Sequence, residues 1–388
     1  MSNLTYAPLP EWGHIAKAIK NKQLSNEQLV KYWLLNNEKS YWFSRSAWSL
    51  YVIVKFRILI SSNNQVKVWV PSYFCDEALV AIRSLPITLY FYPVLPNGKP
   101  DLIECNKMLG NCSPDIILFV HYFGEEVFSD ELCDLAKKND AWLVEDAVHC
   151  LKPSGVIGNQ GDFVIYSPYK LLAIPDGGLL VIREQGPSNI TSNLLEKFNF
   201  NEVYDSVINM RQFSNLFSYK WLAKRLIQKL GLHFSYKITL FNSENKIQDL
   251  NQLPHPKMSK LSKKLLSNMI DLNKESENRK NNQKEWNLSL IKDNILGDDI
   301  NMFSCHKCYL PYQAIFVVND TKKAEFFFDL LQKSKIPVST WPDLPHEVVK
   351  DSERYRVAIE MRATRFFLPV HCSIASADIR SSLMNISN

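Results

Sequence analysis

Short apolar runs alternate along this chain with longer stretches whose apolar residues recur at helical spacing. Residues 66–70, 87–92, 116–121, 163–166 and 179–182 have the length and the β-branched or aromatic content of buried strands, and Leu143-Val144 run straight into Glu145-Asp146. Between them lie helical patterns. In 11–35, Ile15, Ile19, Leu24, Leu29 and Trp33 predict one or two helices. Residues 47–60 predict another, with Ser44 or Ser46 as its N-cap, and 76–84 a third. In 129–139, Ser129 caps a helix that carries Leu132, Leu135 and Ala136 on one face. Such alternation predicts an α/β protein with a mostly parallel sheet, and these sheets bind ligands at the C-terminal ends of their strands. Cys75, His121 and Asp146 fall at such ends.

Farther on, 217–238 is basic and aromatic at helical spacing. Its choices are a lid, a membrane-surface helix, or a helix packed on its own domain with Lys and Arg outward, and the last is favoured. A long polar helix follows, ending near 290, then strands at 309–318 and 336–341, a helix at 321–333, and mixed structure over 354–367. The expected organisation is a large domain over 1–250, with a divergent insert at 184–253, and a small C-terminal α/β domain over 251–388. No internal repeat or low-complexity linker interrupts it.

A chain of 388 residues, 46 % hydrophobic and 22 % charged, has the makeup of an ordinary globular protein with a sizeable core. Its net charge of +5 is mild and its lysines are scattered, which argues against nucleic acid as a main partner. The start lacks a basic segment followed by an apolar block, and 46–60 is interrupted by Lys55 and Arg57, so neither a signal peptide nor a membrane span is expected and the cytoplasm is the expected location. The eight cysteines are irregularly spaced and read as buried thiols. Cys305-His-Lys-Cys308 fits a metal-ligand spacing, and His371-Cys372 would add ligands. A second pair at regular spacing is missing, so no metal site is expected.

Candidate chemistry concentrates in 144–182. It offers the Asp146 carboxylate, the Ser167 hydroxyl and the Lys170 amine, each at or just past the end of a strand, with glycines at 155, 158 and 161 between the first two and at 177 and 178 after the last. Pyridoxal phosphate (PLP) needs that set. An amine condenses with its aldehyde, a carboxylate keeps its ring nitrogen protonated, and a hydroxyl reaches its phosphate. The same residue types also occur as plain solvated surface pairs.

The order Glu145-Asp146-Ala147, Gly161-Asp162, Ser167-Pro-Tyr-Lys170 and Gly177-Gly178 resembles the DegT/DnrJ/EryC1/StrS family of PLP-dependent, mostly sugar, aminotransferases. Tyr122-Phe-Gly124 and Leu368-Pro-Val-His371 extend the resemblance over most of the chain outside the insert and the N-terminal helices. It implies PLP-dependent transferase fold type I (aspartate aminotransferase-like) and a homodimer. In it Lys170 would carry the cofactor and shuttle the proton, and Asp146 would pair with the ring nitrogen. Ser167 and the Ser46-Ala47 helix start would hold the phosphate. By register Cys75 occupies the ring-stacking position, with Phe74 its nearest aromatic substitute. His149 would bond the cofactor's ring oxygen or the substrate, unless it is a satisfied core histidine. His255 would stand where relatives reach the neighbouring subunit's cofactor. The chain departs from the family pattern at Arg45, where relatives have glycine, and in a shortened Ser167–Lys170 loop.

The activity so implied is amino transfer to a nucleotide-linked keto sugar, with glutamate as donor, for surface polysaccharide biosynthesis. Two alternatives stay open: another PLP reaction on an amino acid, and a non-catalytic relative that binds a sugar nucleotide.

Overall fold

A computed structural model describes residues 4–36, 38–61, 65–110, 112–127, 129–183, 186–188, 192–211, 215–231, 250–269, 271–292, 300–302 and 310–384. Its centre is a seven-stranded sheet formed by β1 (Lys39–Phe43), β2 (Val66–Pro71), β3 (Ile87–Tyr92), β4 (Ile116–Val120), β5 (Trp142–Asp146), β6 (Phe163–Tyr166) and β7 (Gly178–Ile182). The spatial order is β1-β7-β6-β5-β4-β2-β3. Neighbours from β6 through to β3 pair in parallel, whereas β7 runs antiparallel to both β6 and β1. Every residue of β4, β5, β6 and β7 is buried. Strands covered on both faces need apolar residues at successive positions, and so they read as continuous apolar runs rather than as alternation.

The Ser46–Ile60 helix crosses one face and is buried nearly all round, from Ala47 through Val54 and at Phe56. A helix apolar on every side is stable only inside the core. Its N-cap is Arg45, not Ser44 or Ser46, and no side chain caps it. Ser44 is engaged elsewhere: its hydroxyl donates to the His255 carbonyl and its carbonyl accepts from Gly177 N–H. Ser46 is the first helical residue. Gly178 at the start of β7 passes so close to this helix start that a Cβ there would lie 2.5 Å from the Arg45 carbonyl carbon. Only glycine admits that approach.

Helices form at Trp12–Lys20, Asn26–Val30 and Asp130–Lys138, the last capped by the Ser129 hydroxyl as the sequence predicts. The 76–84 segment is less regular than expected, one α turn at Asp76–Leu79 followed by a 3-10 turn at Ile82–Ser84.

A smaller antiparallel sheet, β8 (Ile300–Met302), β9 (Gln313–Val318) and β10 (Arg365–Pro369), is ordered β10-β9-β8. The Thr321–Lys333 helix packs on it, and its core joins Trp286, Phe316, Phe328 and Leu368 to Leu4 from the other end of the chain. Residues 336–341 do not form the expected strand. They make one isolated bridge, Ser339 to Phe367, because Pro337 and Pro342 remove the donors a longer ladder needs. The Cys305–Cys308 pair lies outside the described residues. Among those residues, no helix is long and apolar enough to cross a membrane.

Candidate active site

A cleft of about 310 Å³ opens at the C-terminal ends of the parallel strands, where such sheets bind ligands. It is lined by Ser46, Ala47, Phe74, Cys75, Asp146, His149 and Lys170, seven of the residues singled out from the sequence. Asp146 ends β5, and Lys170 lies in the one-turn Pro168–Leu171 helix after β6. β5 and β6 are hydrogen-bonded neighbours, so carboxylate and amine enter the cleft from adjacent strands.

Burial pushes the Asp146 carboxyl up to about 6, although Lys170, the Val148 N–H (3.0 Å from Oδ1) and His121 pull the other way. Lys170 shows the opposite balance. Burial favours its neutral form, but Tyr312, Tyr169, Asp146 and Cys75 outweigh this and hold it above the usual lysine value. The pair sets a carboxyl raised by burial beside an amine held in its charged form, a combination found where protons are exchanged.

His149 is buried between two rings. Its imidazole lies 5.6 Å from Phe123 and 4.3 Å from Tyr312, close to parallel with each. Burial and then Lys170 keep it neutral. Nδ1 accepts from Phe123 N–H at 3.2 Å, so the proton sits on Nε2, which makes it a neutral donor. Phe123 is in the left-handed region (φ 59°), a conformation that costs a non-glycine residue on the order of 1–3 kcal/mol. That turn presents its ring to His149 and its N–H to Nδ1. Burial drives the Cys75 thiol up to about 11, so it stays protonated and adds shape rather than charge.

Three expected residues lie outside the cleft lining. Ser167 is fully buried, and its hydroxyl is among the buried polar atoms without a hydrogen-bond partner. His121 stands behind the cleft, its Nε2 2.8 Å from Glu145 Oε1. His255 lines a separate groove; its Nδ1 accepts from Lys257 N–H and its Nε2 donates to the Arg211 carbonyl. His371 bonds the Thr5 carbonyl, and burial lowers it to about 3, so it is a core histidine. At the surface Asp76, His346 and Glu347 converge, but Arg83 pairs with both carboxylates and supplies the cation they need.

Sequence reasoning missed Tyr169, Phe123, Tyr312 and Trp341 as lining residues. Tyr169 was visible only as the residue before the lysine. Tyr312 and Trp341 reach the cleft from the C-terminal part of the chain, more than 140 positions beyond Lys170, and no local pattern marks them.

Residues 105–197, which carry Asp146, His149, Ser167 and Lys170, match the model of the DegT/DnrJ/EryC1/StrS aminotransferase family. No curated protein sequence matches the chain. Among solved structures, it resembles the aminotransferase TlmJ from Streptoalloteichus hindustanus at 14% identity, with 99% of this chain and 98% of that one covered and a TM-score of 0.67. The PLP form of a sugar aminotransferase, Spr1654 from Streptococcus pneumoniae, gives the same figures. DesI, solved in the presence of its TDP-sugar product, matches at 13% identity over 100% of this chain and 95% of that one, with a TM-score of 0.66. The chain therefore has the α/β fold of the PLP-dependent aminotransferases, as its motifs implied.

The residues present fit that cofactor. A buried hydroxyl with no partner at Ser167 and a helix start with no side-chain cap at Arg45–Ser46 are groups a phosphate satisfies. The raised Asp146 carboxyl suits a protonated ring nitrogen.

Proposed function

We propose that the protein is a PLP-dependent aminotransferase that moves an amino group from glutamate to a nucleotide-linked keto sugar, on a route to a surface polysaccharide. The observation that carries this reading is the meeting of Asp146, Lys170 and His149 in one cleft at the strand ends. The family segment supports the reaction class, and the likeness to DesI with its TDP-sugar product supports the substrate class.

The bound cofactor would supply an aldehyde for the amine and a ring that accepts electrons. The chain's own groups do the rest. Asp146 holds the proton of the ring nitrogen, and its carboxyl ionises more readily once that cation is beside it. His149, with its proton on Nε2, would donate to a ring oxygen. Ser167 and the Ser46-Ala47 backbone hold the phosphate. The Lys170 Nζ would take up and return the proton at the substrate carbon. Phe74, Trp341 and Tyr312 exclude water, which strengthens each of these contacts. The reading includes a homodimer, supported by the family resemblance, and a cytoplasmic location, supported by the N-terminal sequence pattern.

Purified protein incubated with PLP is expected to turn yellow and, on addition of glutamate, to shift to the amine form of the cofactor. Colour that no amino donor moves would favour a different PLP reaction. Failure to take up PLP at all would replace the enzyme with a sugar-nucleotide-binding relative.

A further inference from the structure

The Leu216–Lys229 helix is turned the opposite way from the expectation its sequence sets. The pattern favours a helix packed on its own domain with Lys and Arg outward. Instead Leu216, Tyr219, Ala223 and Ile227 face solvent, and Leu230 at the C-cap continues the line. Their spacing of three, four, four and three residues places them on one face. Leu216 is 58 % exposed, Tyr219 62 % and Leu230 73 %, and Ser218 is the only residue of the helix that is buried. Such a stripe normally meets a core; here it meets water.

The charge around the stripe is of one sign. The helix carries Lys220, Lys224, Arg225 and Lys229 and no acid. Lys220 is exposed on the apolar face itself, and Lys224 is half-buried at its flank. At the far end, Lys229 Nζ donates to the Pro10 carbonyl at 2.9 Å and lies 5.4 Å from the Trp12 ring. That contact sets Trp12, itself 53 % exposed, beside the end of the helix. Glu11, the acid next to Trp12, is met by His14 and Lys274, each at 3.8 Å. A second copy of the helix laid on this face would set four cations against four with no acid between them, which opposes self-pairing. A surface that is apolar within and negative at its rim matches both features.

We propose that the Leu216–Lys229 helix docks the protein on an anionic lipid bilayer. The helix lies in the plane of the interface, with Leu216, Tyr219, Ile227 and Leu230 sunk to the boundary between headgroups and acyl chains. Lys220 and Lys224 lay their aliphatic stems along that boundary and reach lipid phosphates with their amines. Tyr219 and Trp12 have the rings, apolar in body and polar at the tip, that settle at headgroup depth. One short helix holds a protein to a bilayer reversibly, by apolar area and charge together, so the attachment depends on lipid composition and on salt. This docking is separate from the aminotransferase reading and stands or falls without it.

Sedimentation of the full chain with vesicles tests this, using phosphatidylcholine alone and phosphatidylcholine mixed with phosphatidylglycerol. Wild type is expected to pellet with the mixed vesicles, to leave them at high salt, and to ignore phosphatidylcholine alone. Ile227→Ser combined with Leu230→Ser should weaken binding to the mixed vesicles at least about tenfold, because two apolar side chains no longer leave water. Lys220→Glu should weaken it at least about tenfold through charge. Lys220 is exposed, so that variant decides the matter should the serine pair misfold by circular dichroism. Absence of binding to the mixed vesicles overturns the proposal, as does equal binding to both compositions. Unchanged affinity in the folded variants overturns it too. Wild type that ignores vesicles but shows by light scattering a mass that falls in the serine variant assigns the face to a second copy of the chain, which is also against it.

Discussion

His121 and Glu145 are joined by a 2.8 Å hydrogen bond in full burial, one residue along the chain from Asp146. Nε2 of His121 donates to Glu145, while Nδ1 lies 3.1 Å from the Val127 nitrogen and 3.2 Å from the Glu125 carbonyl oxygen. Glu145 also accepts from the backbone N–H groups of Gly158, Gln160 and Gly161. Burial raises its carboxyl, but His121 and these donors outweigh that and leave it below the usual glutamate value. This carboxylate pins the glycine turn against β5. Glu145→Ala removes the acceptor from four donors, three of them buried, and the expected loss is about 3–5 kcal/mol. Denaturant unfolding of the cofactor-free protein measures it. A loss under 1 kcal/mol would show that the turn holds without the carboxylate.

Asp146 gives a pH-dependent prediction. Its carboxyl is raised from 3.8 to about 6 in the folded chain without cofactor, where Lys170, His121 and Tyr122 are titratable groups that interact with it. Between those values the folded state binds more protons than the unfolded state. Stability therefore falls as pH rises through that window, and above it the cost is on the order of 3 kcal/mol. Asp146→Asn is expected to stabilise the cofactor-free protein at pH 7 by up to that amount, with the gain vanishing near pH 4. Unfolding midpoints across pH test this. In the presence of PLP the order should invert, because the variant loses the charge that holds the ring proton.

Ser167→Ala deletes a buried hydroxyl that has no partner. Cofactor-free protein should be as stable as wild type or gain about 1 kcal/mol, since an unpaired buried polar group costs stability. Affinity for PLP should fall at least about tenfold, as a hydrogen bond to a charged phosphate is lost. Fluorescence titration reads the second effect. Unchanged affinity would remove Ser167 from the phosphate site.

Lys170→Ala should leave the fold intact and abolish covalent capture of PLP by borohydride reduction. The rate of amino transfer in a single turnover should drop by about 10²–10⁴ or more. Retained covalent capture would point to another amine.

Much of this was legible beforehand for a physical reason. The central strands are buried on both faces, so their boundaries appear as apolar runs, and residues at their C-terminal ends must enter one cleft. That logic places Asp146, Cys75 and Lys170. It fails for His121, whose side chain turns behind the sheet end to meet Glu145, and for Ser44, whose hydroxyl is drawn to the His255 carbonyl instead of capping a helix. Tyr312 and Trp341 depend on how the smaller sheet seats against the larger one. Packing between segments so distant in sequence leaves no periodicity to read. His255 sat in a motif whose family role spans two subunits, and within one chain both its ring nitrogens are taken.

Leu4 is clamped among Trp286, Phe316 and Ile379, and the Leu9 backbone exchanges hydrogen bonds with Ser373. The beginning of the chain thus works as a tether on its last quarter. Any rocking of β8–β10 that widened or narrowed the entrance beside Tyr312 and Trp341 would tug on the Trp12–Lys20 helix, and a cut between Leu9 and Trp12 would slacken that leash while leaving every lining side chain in place.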